Sequence, residues 1–157
     1  MENQSLSPKA EALQRVSQLV RAGGPAALGV LDADTGVPFT TLVSFAADAA
    51  LKPLLFLSGL SRHSKCLAAD ARGSLLVMAP IAAEGDPLRT LRVTLSGYFE
   101  TATREEAMGL FLARHPYAEL YMGLGDFRFW RLEAEQAHIV AGFGQAYQVR
   151  FKDIPVG

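Results

Sequence analysis

Between Ser7 and Ala22 apolar residues return at helical spacing. Leu13, Val16, Leu19 and Val20 share a face, Ser7 stands as N-cap, Pro8 suits the first helical position, and Gly23-Gly24 stops the pattern. The period then shortens to two. β-rich runs at Ala26–Leu31 and Pro38–Ala46 flank the turn signal DADTG. In the second run Thr41, Val43 and Phe45 alternate with Thr40, Leu42 and Ser44. Pro53–Ser58 and Gly73–Pro80 are short apolar strands, and Leu88–Glu100 is a long one with Arg92, Thr94 and Ser96 on one face. Helical patterns cover Ser61–Ala69, Thr103–Arg114 with a Thr103/Glu106 capping box, and a short piece at Tyr117–Met122. Phe127–Leu132, Ala137–Ala141 and Gln145–Val149 read as three further strands, with Gly142-Phe143-Gly144 marking a tight bend.

Consecutive strands with short connections predict a mainly β fold with peripheral helices, an antiparallel β-barrel and not a doubly wound parallel sheet. A single domain over residues 1–149 and a loose C-terminal tail over 150–157 are expected. Half of the 157 residues are hydrophobic and a fifth are charged, which excludes a disordered chain. Fifteen basic against sixteen acidic side chains give a net charge of −1, which argues against nucleic acid as a partner. The one cysteine, Cys66, permits no intrachain disulfide framework and no cysteine-based zinc site. No apolar run approaches membrane-spanning length, and MENQSLSPKAEAL lacks a signal-peptide pattern. The expectation is a soluble cytoplasmic protein without membrane contact.

The histidines carry little catalytic promise by themselves. His115, in ARHPY, is placed to cap carbonyls or meet the dipole at a helix end, and His138 reads as a hydrogen-bonded structural residue. No H-x-x-x-H spacing supports a metal site. The most informative segment is SGLSRHSK, Ser58–Lys65. A strand ends and a helix begins there. The helix start offers free N–H groups, Ser58, Ser61 and Ser64 offer hydroxyls, and Arg62, His63 and Lys65 offer cationic groups. A phosphate monoester needs such a set; a capped helix with a solvated basic face is the competing reading.

Together the segments GVPFTTLVSFAAD, LLFLSGLSRHSKCLAADARGSLLV, LRVTLSGYFE and ARHPYAELYMGLGDFRFWRLEAEQAHIVAGFGQA resemble the pyridoxamine-phosphate-oxidase-like FMN-binding split barrels. The likeness runs from the first helix to Val149 and is closest in pattern to the haem-utilisation branch. It implies a split barrel, a homodimer with a cofactor cleft between subunits, and FMN as cofactor, with haem as the alternative. By the resemblance, Thr41 and Val43 would contact the flavin ring or ribityl chain. Ser58, Ser61, Arg62, His63 and Lys65 would hold the phosphate. Arg92 would face the pyrimidine side of the ring, where a cation stabilises reduced flavin; a surface ion pair is the other reading of Arg92. The implied activity is a flavin-dependent oxidoreductase of unknown small-molecule substrate, against a haem-binding protein or a cofactor-free interaction module. Thr40 and Thr41 stand where vitamin B6 oxidases carry an arginine, which argues against that reaction. No histidine follows His138, where haem-degrading relatives carry an iron ligand in a C-terminal extension. Haem oxygenase activity is therefore not expected, and any bound haem should lack a ligand from the tail.

Overall fold

The computed structural model describes residues 6–157; the start of the MENQSLSPKAEAL segment, residues 1–5, lies outside the described residues. Helix α1 (Pro8–Ala22) is capped by the Ser7 hydroxyl and leads into β1 (Gly24–Leu31), β2 (Pro38–Ala47) and β3 (Pro53–Ser58). Helix α2 (Arg62–Ala69), β4 (Arg72–Met78), β5 (Arg92–Ala102), α3 (Arg104–Arg114), β6 (Phe127–Gly142) and β7 (Gln145–Arg150) follow. The strands hydrogen-bond in the order β3-β2-β1-β4-β5-β6-β7, and β3 also pairs with β6. Six antiparallel strands thus close a barrel, with β7 outside it on the far edge of β6. This is the mainly β architecture with peripheral helices that the alternation predicts.

Two apolar clusters hold it. Leu28, Phe45, Leu55, Leu75, Leu95, Leu132 and Ile139 fill the barrel interior with Val16 and Val20 of α1 and Leu67 of α2. Outside the barrel, Phe56 of β3 and Phe129 of β6 stack at 4.5 Å and meet Phe111 of α3. The unbroken apolar run of β3 follows from this arrangement. Leu55 and Leu57 face the barrel core, while Leu54 and Phe56 face the α3 cluster, so both faces of the strand are covered.

Three expectations change. The strands expected at Phe127–Leu132 and Ala137–Ala141 are one sixteen-residue strand, β6. Polar Glu133–Gln136 falls where β6 leaves β3, before it takes up β7, and where the β5–β6 register slips at Ser96/Gly97. A Cβ on Gly97 would stand 2.1 Å from the Glu133 carbonyl oxygen, so only glycine admits this approach. The long strand expected from Leu88 begins at Arg92 instead, because Pro87–Arg89 forms a 3-10 turn capped by Asp86. The tail expected to be loose is docked. Phe151–Asp153 makes another 3-10 turn, Ile154 is 3% exposed, and Ser17 of α1 donates its hydroxyl to the Pro155 carbonyl at 2.5 Å.

Candidate functional site

The barrel is split along β2. Its last residues pair with β3 (Phe45↔Leu55, Ala46↔Leu54, Ala47↔Pro53), but residues 38–44 pair only with β1. Alternate backbone groups along that stretch turn away from β1 towards the opening. The first turn of α2 lies beside this open edge: the Arg62 guanidinium sits 4.2 Å over the Phe39 ring. Above it the gap deepens into a cleft of about 240 Å³. Its walls include Val43 and Ser44 of β2, Phe56 and Leu57 of β3, His63 of α2, and Phe111 and Tyr117 from α3 and the turn after it. Tyr117 donates its hydroxyl to Ser44 Oγ at 2.8 Å. Behind it His115 donates Nε2–H to the Phe45 carbonyl at 2.7 Å, tying α3 to β2.

Leu42 also lines this cleft, and it is 75% exposed. The same side chain lines a larger groove of about 690 Å³ that runs over the outer surface of β1 and β4. Aliphatic residues make up most of that groove: Leu19, Pro25, Leu76, Met78 and Ile81, with Arg114 at its edge. Cleft and groove therefore share a ridge on the outward face of β2. Composition offers a signal for this feature. Leu42 is the one large apolar residue in the otherwise small and polar series Thr40, Leu42, Ser44.

The residues picked out by sequence reach this region to different extents. Val43 lines the cleft but is only 7% exposed and packs in the barrel core, and Thr41 points to the same inner side of β2. The exposed side chains of β2 are instead Pro38, Thr40 and Leu42 on its outward face.

The Ser58–Lys65 cluster divides. Ser61 caps α2, with its hydroxyl donating to the Ser58 carbonyl at 2.7 Å and accepting from Ser64 N at 3.4 Å. Ser58 gives its own hydroxyl proton to Asp126 at 2.6 Å. Arg62 is engaged by Asp32 through Nε at 3.1 Å and Nη2 at 2.8 Å. That guanidinium and the N–H groups of the β1–β2 turn hold the Asp32 carboxyl down at about 2. His63 alone of the cationic candidates lines the cleft, where burial pushes its imidazole pKa down and favours the neutral form. Lys65, two residues on and so on another side of α2, borders a separate recess.

Arg92 stands apart. It opens β5, three strands from β2 in the sheet order, and donates Nη1 to the carbonyls of Leu88 at 2.9 Å and Thr90 at 3.3 Å. It therefore forms no surface ion pair among the described residues. His138 is exposed on β6, with Nδ1 3.3 Å from Gln148 Oε1. Among the described residues no group of three or more metal-ligating side chains converges. None of their helices is long and apolar enough to cross a membrane.

Comparison with known proteins places this geometry in context. Residues 10–154 match the sequence profile of a family described as CREG, beta-barrel. A curated relative from Arabidopsis thaliana, the non-canonical heme oxygenase HOZ of the chloroplast, is 34% identical over 115 residues, covering 71% of this chain and 34% of that protein. The chain thus spans about a third of the length of that relative. A heme binding protein from Mycobacterium smegmatis superposes with a TM-score of 0.83 at 27% identity, covering 94% of this chain and 60% of the other. A Clostridium acetobutylicum protein related to general stress protein 26, of the pyridoxinephosphate oxidase family, shares the fold at TM-score 0.71 and 16% identity, over 93% of this chain and 99% of that one.

Proposed function

We propose, because the chain belongs to the CREG β-barrel family, that it binds haem against the outward face of β2 and serves in haem handling. The observation that carries this reading is the apolar depression joined at Leu42. The cleft of about 240 Å³ falls below the ~300–1,000 Å³ typical of cofactor sites, while the groove of about 690 Å³ lies within it. A large planar ligand with an apolar body can span the Leu42 ridge and use both. The residues fit such a ligand. Leu42, Leu76 and Met78 offer apolar contact. Arg114, anchored through Nε on the Ala22 carbonyl at 2.6 Å, offers a cation for a carboxylate at the macrocycle's edge. His63, held towards its neutral form, offers an imidazole lone pair at the cleft wall. When bound, haem supplies an iron centre for oxygen or electron chemistry. The names of the Arabidopsis and mycobacterial relatives support the same choice.

FMN is the second reading, favoured by the N-terminus of α2 beside the open edge of β2, with Ser61 as cap. Under it the protein is a flavin-dependent oxidoreductase. Under either reading a second copy of the chain completes the site by covering the groove.

Titration with haem, followed by its Soret absorbance, tests the first reading. A saturable shift is expected, weakened at least about tenfold by Leu42→Lys, since a charge brought onto an apolar contact surface is left without a partner. Leu42 is exposed, so the variant should melt like the parent. A protein that leaves the haem spectrum unchanged yet takes up FMN would overturn the haem reading in favour of flavin.

A further inference from the structure

His63 and Lys65 stand two residues apart on α2, and a helix turns such neighbours to different sides. His63 meets the cleft; Lys65 meets a recess of about 300 Å³ between α2 and the start of β6. Across this recess stands Arg128, opposite Leu57 in the β3–β6 ladder, with Trp130 two residues further along the same strand face. Trp130 is 8% exposed and backs the recess with an indole; Ser64 and Asp126 complete its walls. Gly59 permits the tight wall on one side, because a Cβ there would stand 2.9 Å from the Asp126 carbonyl oxygen.

The charges in this recess are not spent on one another. Every other arginine among the described residues places its side chain on a carbonyl or carboxylate. Arg128 has no such partner among the described residues, and Lys65 has none either. Asp126, the one carboxylate lining the recess, accepts the Ser58 hydroxyl and pairs with neither cation. Two unpaired cations from different elements, with Ser64 and the Trp130 indole in the same recess walls, form a receptor for an oxyanion. The guanidinium offers a fork of N–H donors and the ammonium a compact charge.

We infer that this recess is a second ligand site, separate from the cleft, which takes the phosphate group of a small phosphorylated ligand through Lys65 and Arg128. It stands whichever cofactor occupies the cleft. Trp130 is the only tryptophan of the chain, so its emission reports on this site alone.

Inorganic phosphate, titrated into the full chain at constant ionic strength, should change Trp130 fluorescence saturably where chloride does not. Lys65→Ala and Arg128→Ala should each weaken the response roughly tenfold to a hundredfold, the range expected for one charge-assisted hydrogen bond. Calorimetry with the double variant, after its melting temperature is matched to the parent, guards against loss of fold. A flat fluorescence and calorimetric response in the parent would overturn the site, as would unchanged binding in the double variant. Displacement of phosphate by FMN but not by riboflavin would also overturn it as a separate site, by making the recess the phosphate end of the cleft. Absence of haem or flavin binding would leave these outcomes untouched.

Discussion

His115 holds two elements together through one hydrogen bond. It ends α3, is 4% exposed, and satisfies the Phe45 carbonyl of β2, seventy residues away in the chain. Its place at a helix end was legible from Pro116, but the expected capping of helix carbonyls is not what the side chain does: it bonds a strand carbonyl, and only its backbone N–H caps α3. That partner was not legible, because no local pattern links residues so far apart. His115→Ala should destabilise the protein by roughly 1–3 kcal/mol through the orphaned carbonyl, with further loss from its packing on Phe111 and Tyr117. Chemical denaturation measures this directly. Burial lowers the imidazole pKa, and the nearby Arg114 adds to the effect, outweighing the hydrogen bond to Phe45. The folded state therefore favours the neutral ring. Its contribution is present above the ordinary value near 6.5 and is lost as pH falls through the lower folded value. The melting temperature should drop as the pH is lowered from about 6.5 through that lower value, and the drop should be shallower in His115→Gln. Side-chain scale also explains the dispersed cationic cluster. The run SRHSK announces a helix start with basic groups, but the direction of each group depends on Asp32, on the cleft and on β6, which sequence spacing does not reveal.

At the scale of elements, periodicity located the helices and most strands because each buries one face or one stripe. It failed where an element is defined by its partner. The polar stretch Glu133–Gln136 looks like a loop, yet β5 pairs with β6 on both sides of it and carries the strand through. The tail VRFKDIPVG looks loose because its apolar anchors, Val149, Phe151 and Ile154, gain meaning only against the barrel and α1. Ile154→Ala should cost about 2 kcal/mol or more, as for other buried aliphatic truncations. Hydrogen exchange should then show faster opening of the final 3-10 turn than of the barrel strands. Wild-type-like stability in that variant would mean that the docked tail contributes little to the fold.

The molecule as a whole leaves Leu42, Met78 and Ile81 exposed along one apolar groove. A surface of this kind needs cover, and a second copy of the chain is the occupant proposed above. Sedimentation at micromolar concentration should give twice the mass of one chain; a stable monomer would require the cofactor to bind within one subunit. Closure of the barrel has a different consequence, in time. The ring shuts only when Leu54–Ser58 meets Phe127–Arg131. During synthesis, β3 must wait for nearly half of the chain to follow before that seam can form. Until then β3 keeps an unpaired edge, an adhesive template for other nascent chains. The long wait makes the seam a natural late step of folding and the stage at which a chaperone has most to protect.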